Sequence, residues 1–309
     1  MIVYDICDNL AVVEQWELER SYYWICCDQN EIRNLEIIFS AETIEECQNF
    51  RQYPRIDYYK NYSFMVFNAL DNENLEIIPR EIDIYLGRSF IITVYKNKVK
   101  LISNLMEDIE KDKNCFILKE NCKPYIILYY ILDRLIINNY NIIADLETEA
   151  DRIELDILKS PKSKHINKLV SLRRESYKLR KLLNPLRYIG DALLLNENNV
   201  IEHNQMYLFE NLNDKIGKLL ASMESLAQDL AMVREAYEAE ISIRTNELMK
   251  AFTIITAVFL PLQLITAIFG MSFEHMPLKN ERFAFEGLIG TMAFLVVILM
   301  AIFKGKKIL

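Results

Sequence analysis

The sequence predicts an α+β water-soluble domain joined by one long stalk helix to two C-terminal transmembrane helices. Three observations carry that reading. Roughly the last sixty of the 309 residues hold two long uncharged apolar stretches, whereas the preceding residues mix charged and apolar side chains as a soluble domain does. Gly and Pro number seven each, far below average usage of roughly 7% and 5%, so little interrupts regular structure and long helices are favoured. From Leu212 through Ile216, Leu219, Met223, Leu226, Leu230 and Val233 to Tyr237, apolar residues recur at alternating steps of four and three, the near-3.5 repeat of a helical packing stripe.

Residues 1–123 read as an N-terminal α/β cytoplasmic domain. Short β-branched and aromatic runs at Ser63–Phe67, Glu81–Leu86 and Phe90–Tyr95 alternate with helical stretches such as Glu42–Phe50, the pattern of a small mixed sheet with helices on it. Residues 124–200 read as an antiparallel helical hairpin. Tyr125–Leu158 has helical apolar spacing behind Pro124, a residue tolerated in a first turn, and Ser160–Ser163 reverses the chain. The second limb runs from about Lys164 to Leu195. Asp145, Glu147, Glu149, Asp151, Glu154 and Asp156 make the first limb acidic, while Arg173, Arg174, Lys178, Arg180 and Lys181 make the second basic. A solvated face paired with basic neighbours accounts for the acidic run without assigning it a site.

Residues 201–250 form the stalk. Nothing between Gly217 and Pro261 stops a helix, so one rod from about Ile201 to Phe269 would be roughly 100 Å long at 1.5 Å per residue. Its end, 251–269, carries no charge and is long enough, at about 28 Å, to cross a hydrocarbon core. Residues 270–286 form an outer loop. The second span, 287–303, is also uncharged, with Gly287, Gly290 and Ala293 allowing close helix packing. Residues 304–309 form a basic tail. Arg244 and Lys250 precede the first span, and Lys304, Lys306 and Lys307 follow the second. That bias puts both termini in the cytoplasm, and the amino terminus lacks the basic-then-apolar pattern of a secretory signal. Two helices cannot enclose a water-filled path by themselves, so a pore requires oligomerisation. Thr253, Thr256, Gln263 and Thr266 make the first span the better candidate for lining it.

The net charge of −8 argues against a nucleic-acid polymer as partner, since phosphate-binding faces need excess Lys and Arg. Six cysteines without C-x-x-C spacing read as reduced thiols. His165, His203 and His275 are too scattered for a dedicated zinc site. A Gly-rich phosphate loop, a nucleophile elbow and a His-Glu-x-x-His motif are all missing from the sequence, so an enzyme is not expected.

The run RTNELMKAFTIITAVFLPL at Arg244–Leu262, followed by FGMSFEHMP at Phe269–Pro277, closely resembles the CorA family of magnesium and divalent-cation transporters. Weaker similarity extends through Tyr53–Tyr59 (YPRIDYY), Leu172–Arg174, Leu183–Arg187 and the stalk. The resemblance implies a funnel-shaped homopentamer in the cell's inner membrane, passing Mg2+ passively under the membrane potential and gated from the cytoplasmic domain. By analogy the pore face comprises Asn246, Met249, Phe252, Leu260 and Gln263, with Met249 and Phe252 at its narrow apolar part and Lys304, Lys306 and Lys307 around the inner mouth. The family's outer Gly-Met-Asn triplet is here Gly270, Met271 and Ser272, so a shorter hydroxyl replaces the amide. For regulatory Mg2+, the analogy points to Glu46 facing the Asn211 position, with Glu210 and Asp214 as substitute carboxylates. Alternatives are a preference for Co2+, Ni2+ or Zn2+, a less selective channel gated by a small ligand such as a nucleotide messenger at the cytoplasmic domain, and a membrane-tethered scaffold.

Overall fold

A computed structural model describes residues 1–18, 20–35, 38–48, 52–95, 99–271 and 283–305. The chain divides into two compact units, Met1–Arg234 and Glu235–Leu309.

Among the described residues, the first unit holds a seven-stranded sheet. Its strands are β1 (Ile2–Asp5), β2 (Ala11–Val12), β3 (Tyr23–Asp28), β4 (Arg55–Tyr58), β5 (Tyr62–Glu73), β6 (Glu76–Gly87) and β7 (Phe90–Tyr95), in the order β2-β1-β3-β7-β6-β5-β4. The three runs read from the sequence fall on β5, β6 and β7, and β5 and β6 extend to 12 residues each. Their hairpin turns on Asn74 and Leu75, with φ of 53° and 69°. Two left-handed residues are what a two-residue primed turn needs, and they fix the register that sets Glu73 opposite Glu76. All pairs are antiparallel except β3 with β7, which run parallel with Tyr23 opposite Phe90 and Asp28 opposite Tyr95.

Alternation divides the sheet's side chains between two covered faces. Ile25, Phe64, Val66, Tyr85, Ile92 and Val94 pack with Ile32 and Leu35 of a 3-10 turn (Glu31–Leu35) and with Ile44 and Cys47 of α1 (Ala41–Gln48). The other face carries Trp24, Met65, Phe67, Ile84 and Ile91, all buried, and α4 (Pro124–Lys159) lies against β3, β5, β6 and β7. Packing against α4 are α2 (Lys100–Glu110), α3 (Phe116–Glu120) and α5 (Ser163–Leu183).

The single second limb expected from Lys164 to Leu195 is two helices, α5 and α6 (Pro185–Leu195). Pro185 has no N–H to offer the Lys181 carbonyl, so the ladder is interrupted there. Asn184 nevertheless stays right-handed, at φ −52° and ψ −39°, and donates to the Arg180 carbonyl at 3.0 Å. Acidic and basic limbs meet through Glu149 and Lys168 at 3.5 Å, while Asp145 accepts a 2.8 Å hydrogen bond from Asn72 on β5.

Helix α7 (Met206–Gly270) is 65 residues long and follows a short 3-10 turn at His203–Gln205. Its stripe from Leu212 to Val233 is buried, and Tyr237 is half-buried. Val233 is its last buried residue, one position before the first unit ends. Two contacts pin its proximal part. Lys215 Nζ lies 2.7 Å from Asp133 of α4, a carboxylate only 8% exposed. Gly190 of α6 lies so close that a Cβ there would overlap Asn213 Oδ1 and reach Ile216 at 3.2 Å. The second unit contains the distal part of α7 and α8 (Ala284–Gly305), both long and apolar enough to cross a membrane.

Candidate functional site along the distal half of helix α7

Helical geometry at about 100° per residue decides which α7 side chains share a direction. Asn246, Met249, Phe252, Leu260 and Gln263 fall within an arc of about 120°, and Thr253, Thr256 and Ala267 fall inside the same arc. Thr266, the fourth polar residue of the span, lies outside it and donates to the Gln263 carbonyl at 3.0 Å. Thr253 turns its hydroxyl to the Met249 carbonyl at 2.7 Å, so its outward surface is largely its methyl group. The face thus alternates polar and apolar levels: an amide at Asn246, an apolar stretch from Met249 to Thr253, the Thr256 hydroxyl, Leu260, and a second amide at Gln263.

These side chains are uncovered in the single chain: Met249 is 59% exposed, Phe252 61% and Leu260 63%. The half-buried residues Ile254, Ala257, Val258, Pro261, Leu262 and Ile265 lie on the opposite side. Helix α8 has one comparable half-buried stripe, Leu288, Met292, Leu295, Leu299 and Phe303. These are the faces available for the two helices to cover each other. Pro261 sits inside α7 without ending it, because loss of one hydrogen bond is tolerable where neighbouring groups satisfy the freed carbonyl.

Gly270 ends α7, with the Met271 N–H donating to the Ile268 carbonyl at 3.2 Å. Its φ is not positive and a Cβ there would meet nothing within 4 Å. Neither local conformation nor packing within one chain requires glycine at 270. Ser272, Lys306 and Lys307 lie outside the described residues, while Lys304 is in the last turn of α8.

The four residues singled out for a regulatory metal are not brought together within one chain. Glu210, Asn211 and Asp214 are exposed on α7. Glu46, on α1, is bound through Oε2 to Arg55 Nη2. Arg55 is the residue the sequence reading passed over; its signal was its place beside Pro54 in the YPRIDYY segment. Asp57 Oδ2, at 2.7 Å, and Gln52 also engage it. Among the described residues no three His, Cys, Asp or Glu side chains form a metal-binding group.

Residues 19–306 match the family profile described as "CorA-like Mg2+ transporter protein". The chain belongs to the CorA family. It is 25% identical over 266 residues to the cobalt/magnesium transport protein CorA of Thermotoga maritima, covering 85% of this chain and 75% of that one. It is 26% identical over 303 residues to the putative metal ion transporter YfjQ of Bacillus subtilis, covering 96% and 93%. The complete structure of the CorA magnesium transporter from Methanocaldococcus jannaschii superposes with a TM-score of 0.85 at 22% identity, covering 98% of this chain and 96% of that one. The sheet domain, long helix and two apolar C-terminal helices are therefore a CorA fold.

Proposed function

We propose that this chain is a CorA-type transporter that passes divalent cations, Mg2+ first and Co2+ second, through a homopentameric pore lined by α7. The observation that carries the reading is the exposed α7 face from Asn246 to Gln263 on a helix long enough to span a bilayer. Five copies with that face inward would bury Met249, Phe252 and Leu260 against one another and leave amide and hydroxyl levels along the axis. Glycine at 270, unexplained within one chain, fits a position crowded by other copies or approached by the ion. The basic flanks of the two spans favour the inner membrane with both termini cytoplasmic.

Mg2+ sheds water reluctantly, so an outer mouth would recognise it through ordered waters. Ser272 offers one donor and two lone pairs at shorter reach than an asparagine. The expected result in proteoliposomes is Mg2+ flux under an imposed potential, with Ser272→Asn raising apparent Mg2+ affinity by about tenfold, which corresponds to about 1.4 kcal/mol. Absence of flux in both proteins defeats the proposal, and unchanged affinity in the variant removes Ser272 from the filter. A cysteine placed at Lys279 should be labelled from outside only.

Regulation by cytoplasmic Mg2+ is proposed where Glu46 of one copy faces Glu210 and Asp214 of the next, with waters completing the shell. Glu46 would have to leave Arg55 to bind, which makes the site weak. Glu46→Ala and Asp214→Ala should each relieve inhibition of flux by internal Mg2+. An unchanged inhibition curve in both would rule the site out.

A further inference from the structure

A basic cavity lies at one end of the sheet in the first unit. The parallel pairing of β3 with β7 sets Tyr23 opposite Phe90, and the Tyr23 N–H donates to the Ser89 carbonyl at 3.0 Å. That register brings Arg20 and Tyr22, which lead into β3, beside Arg88 in the turn between β6 and β7. Helix α4 starts at the same place, with Lys123 as its N-cap, Pro124 in its first turn and no side chain capping it. The segment between α6 and α7 adds Glu202. Together they line a cavity of about 500 Å3.

The charge balance of this cavity is unusual for the chain. Arg20, Arg88 and Lys123 face one acid, Glu202, in a protein with eight more acidic than basic residues. Lys123 is engaged, with Glu202 at 3.2 Å and with the Tyr22 hydroxyl. Among the described residues Arg20 and Arg88 have no ion pair and no side-chain hydrogen bond. Their two guanidiniums carry planar forks of donors that match phosphate oxygens two at a time. The uncapped start of a 36-residue helix adds partial positive charge at the same point. Tyr22 and Tyr125 supply walls, with Lys123 Nζ 4.3 Å from the Tyr22 ring centre.

We propose that this cavity binds a phosphate-bearing ligand, held by Arg20 and Arg88 with Lys123 as the third cation. The ligand's source is either a soluble phosphate ester or an anionic lipid headgroup, and both offer the same oxygens. The site stands independently of the ion path. Glu202 lies four residues before the start of α7 at Met206, so the ligand would sit against the segment leading into that helix.

The test uses the full-length protein. Titrating inorganic pyrophosphate into detergent-solubilised protein by calorimetry should give saturable, salt-sensitive binding. Arg20→Ala and Arg88→Ala should each weaken it about tenfold, the change expected for losing one charge-assisted contact. Both arginines are exposed and have no partner among the described residues, so the variants should melt with the wild type. Glu202→Gln removes the acid and releases Lys123, and should tighten binding about threefold. A parallel arm compares nanodiscs of phosphatidylglycerol and phosphatidylcholine. Loss in the arginine variants of pyrophosphate binding, or of a phosphatidylglycerol preference, supports the site and identifies its source. Absence of both in wild type, equal binding in the arginine variants, or weaker binding in Glu202→Gln overturns it.

Discussion

Replacing Leu260 with lysine is expected to reduce divalent-cation flux by about a hundredfold or more. A cation at the centre of a transmembrane helix costs roughly 2.5–3.5 kcal/mol even where water can reach it, and in a pore it also repels the permeating ion. Each 1.4 kcal/mol is a factor of ten, so the effect accumulates quickly when every copy carries the charge. Leu260→Thr provides the opposite arm: a smaller polar side chain at the same level should ease wetting of the apolar stretch and raise flux. Flux through reconstituted protein measures both, with size-exclusion profiles confirming that each variant assembles. If Leu260→Lys conducts like the wild type, α7 does not line the path.

The second large effect concerns Asp83, a carboxylate in the middle of β6 with no exposure and, among the described residues, no hydrogen bond to either oxygen. Its face of the sheet is covered by α1. Facing it are Cys47 and Glu46 from α1, Glu81 and Tyr85 from its own strand and Arg55 from β4. Cys47 is near enough to act on it electrostatically without meeting hydrogen-bond geometry, since its sulfur lies 3.3 Å from the Tyr85 hydroxyl. Burial first, then the charge of Glu81, pushes the Asp83 carboxyl up to about 7. A raised carboxylate favours the folded state fully below its unfolded value near 4, and that advantage is lost as pH rises towards 7. The sum approaches 4 kcal/mol at most, at about 1.4 kcal/mol per pH unit. Asp83→Asn keeps the shape without the charge. After about 2 kcal/mol for burying an unpaired amide, it should melt roughly 4 °C above the wild type at pH 8. At pH 5 that order should reverse. Scanning fluorimetry across this range checks it, and parallel melting curves would show that Asp83 is not the titrating group.

Asp83 also marks the limit of what the sequence discloses. The run Glu81–Leu86 alternates polar and apolar residues at its start, which reads as one wet and one dry face. The structure covers both, because α1 and α4 close the sheet from either side. Long signals were legible: an uncharged span is defined by length alone, and the stripe from Leu212 to Val233 by a period sustained over several turns. Pro185 was a local signal overridden in that reading, and it does interrupt the helix. The α7 face could be read from spacing because all its members sit on one helix. The Arg20, Arg88 and Lys123 cavity could not, since 68 and 35 residues separate them; the parallel β3–β7 pairing brings the two arginines together and the start of α4 adds Lys123. Glu46 was found by position, but its partner Arg55 is fixed by how α1 meets β4.

The sheet's strand order also sets a schedule. The β4–β5–β6–β7 meander closes through neighbouring segments, while β1 and β3 must wait for β7 to supply an edge, so the N-terminal strands are the last to join. Among the described residues every strand nonetheless lies before residue 96. About 150 further residues must be made before the first apolar span is synthesised, roughly 8 to 30 s at about 5–20 residues per second. The slow, non-local pairing therefore has time to finish on the ribosome while the membrane helices are still untranslated, and the hydrophobic hairpin emerges behind a sheet that has already closed.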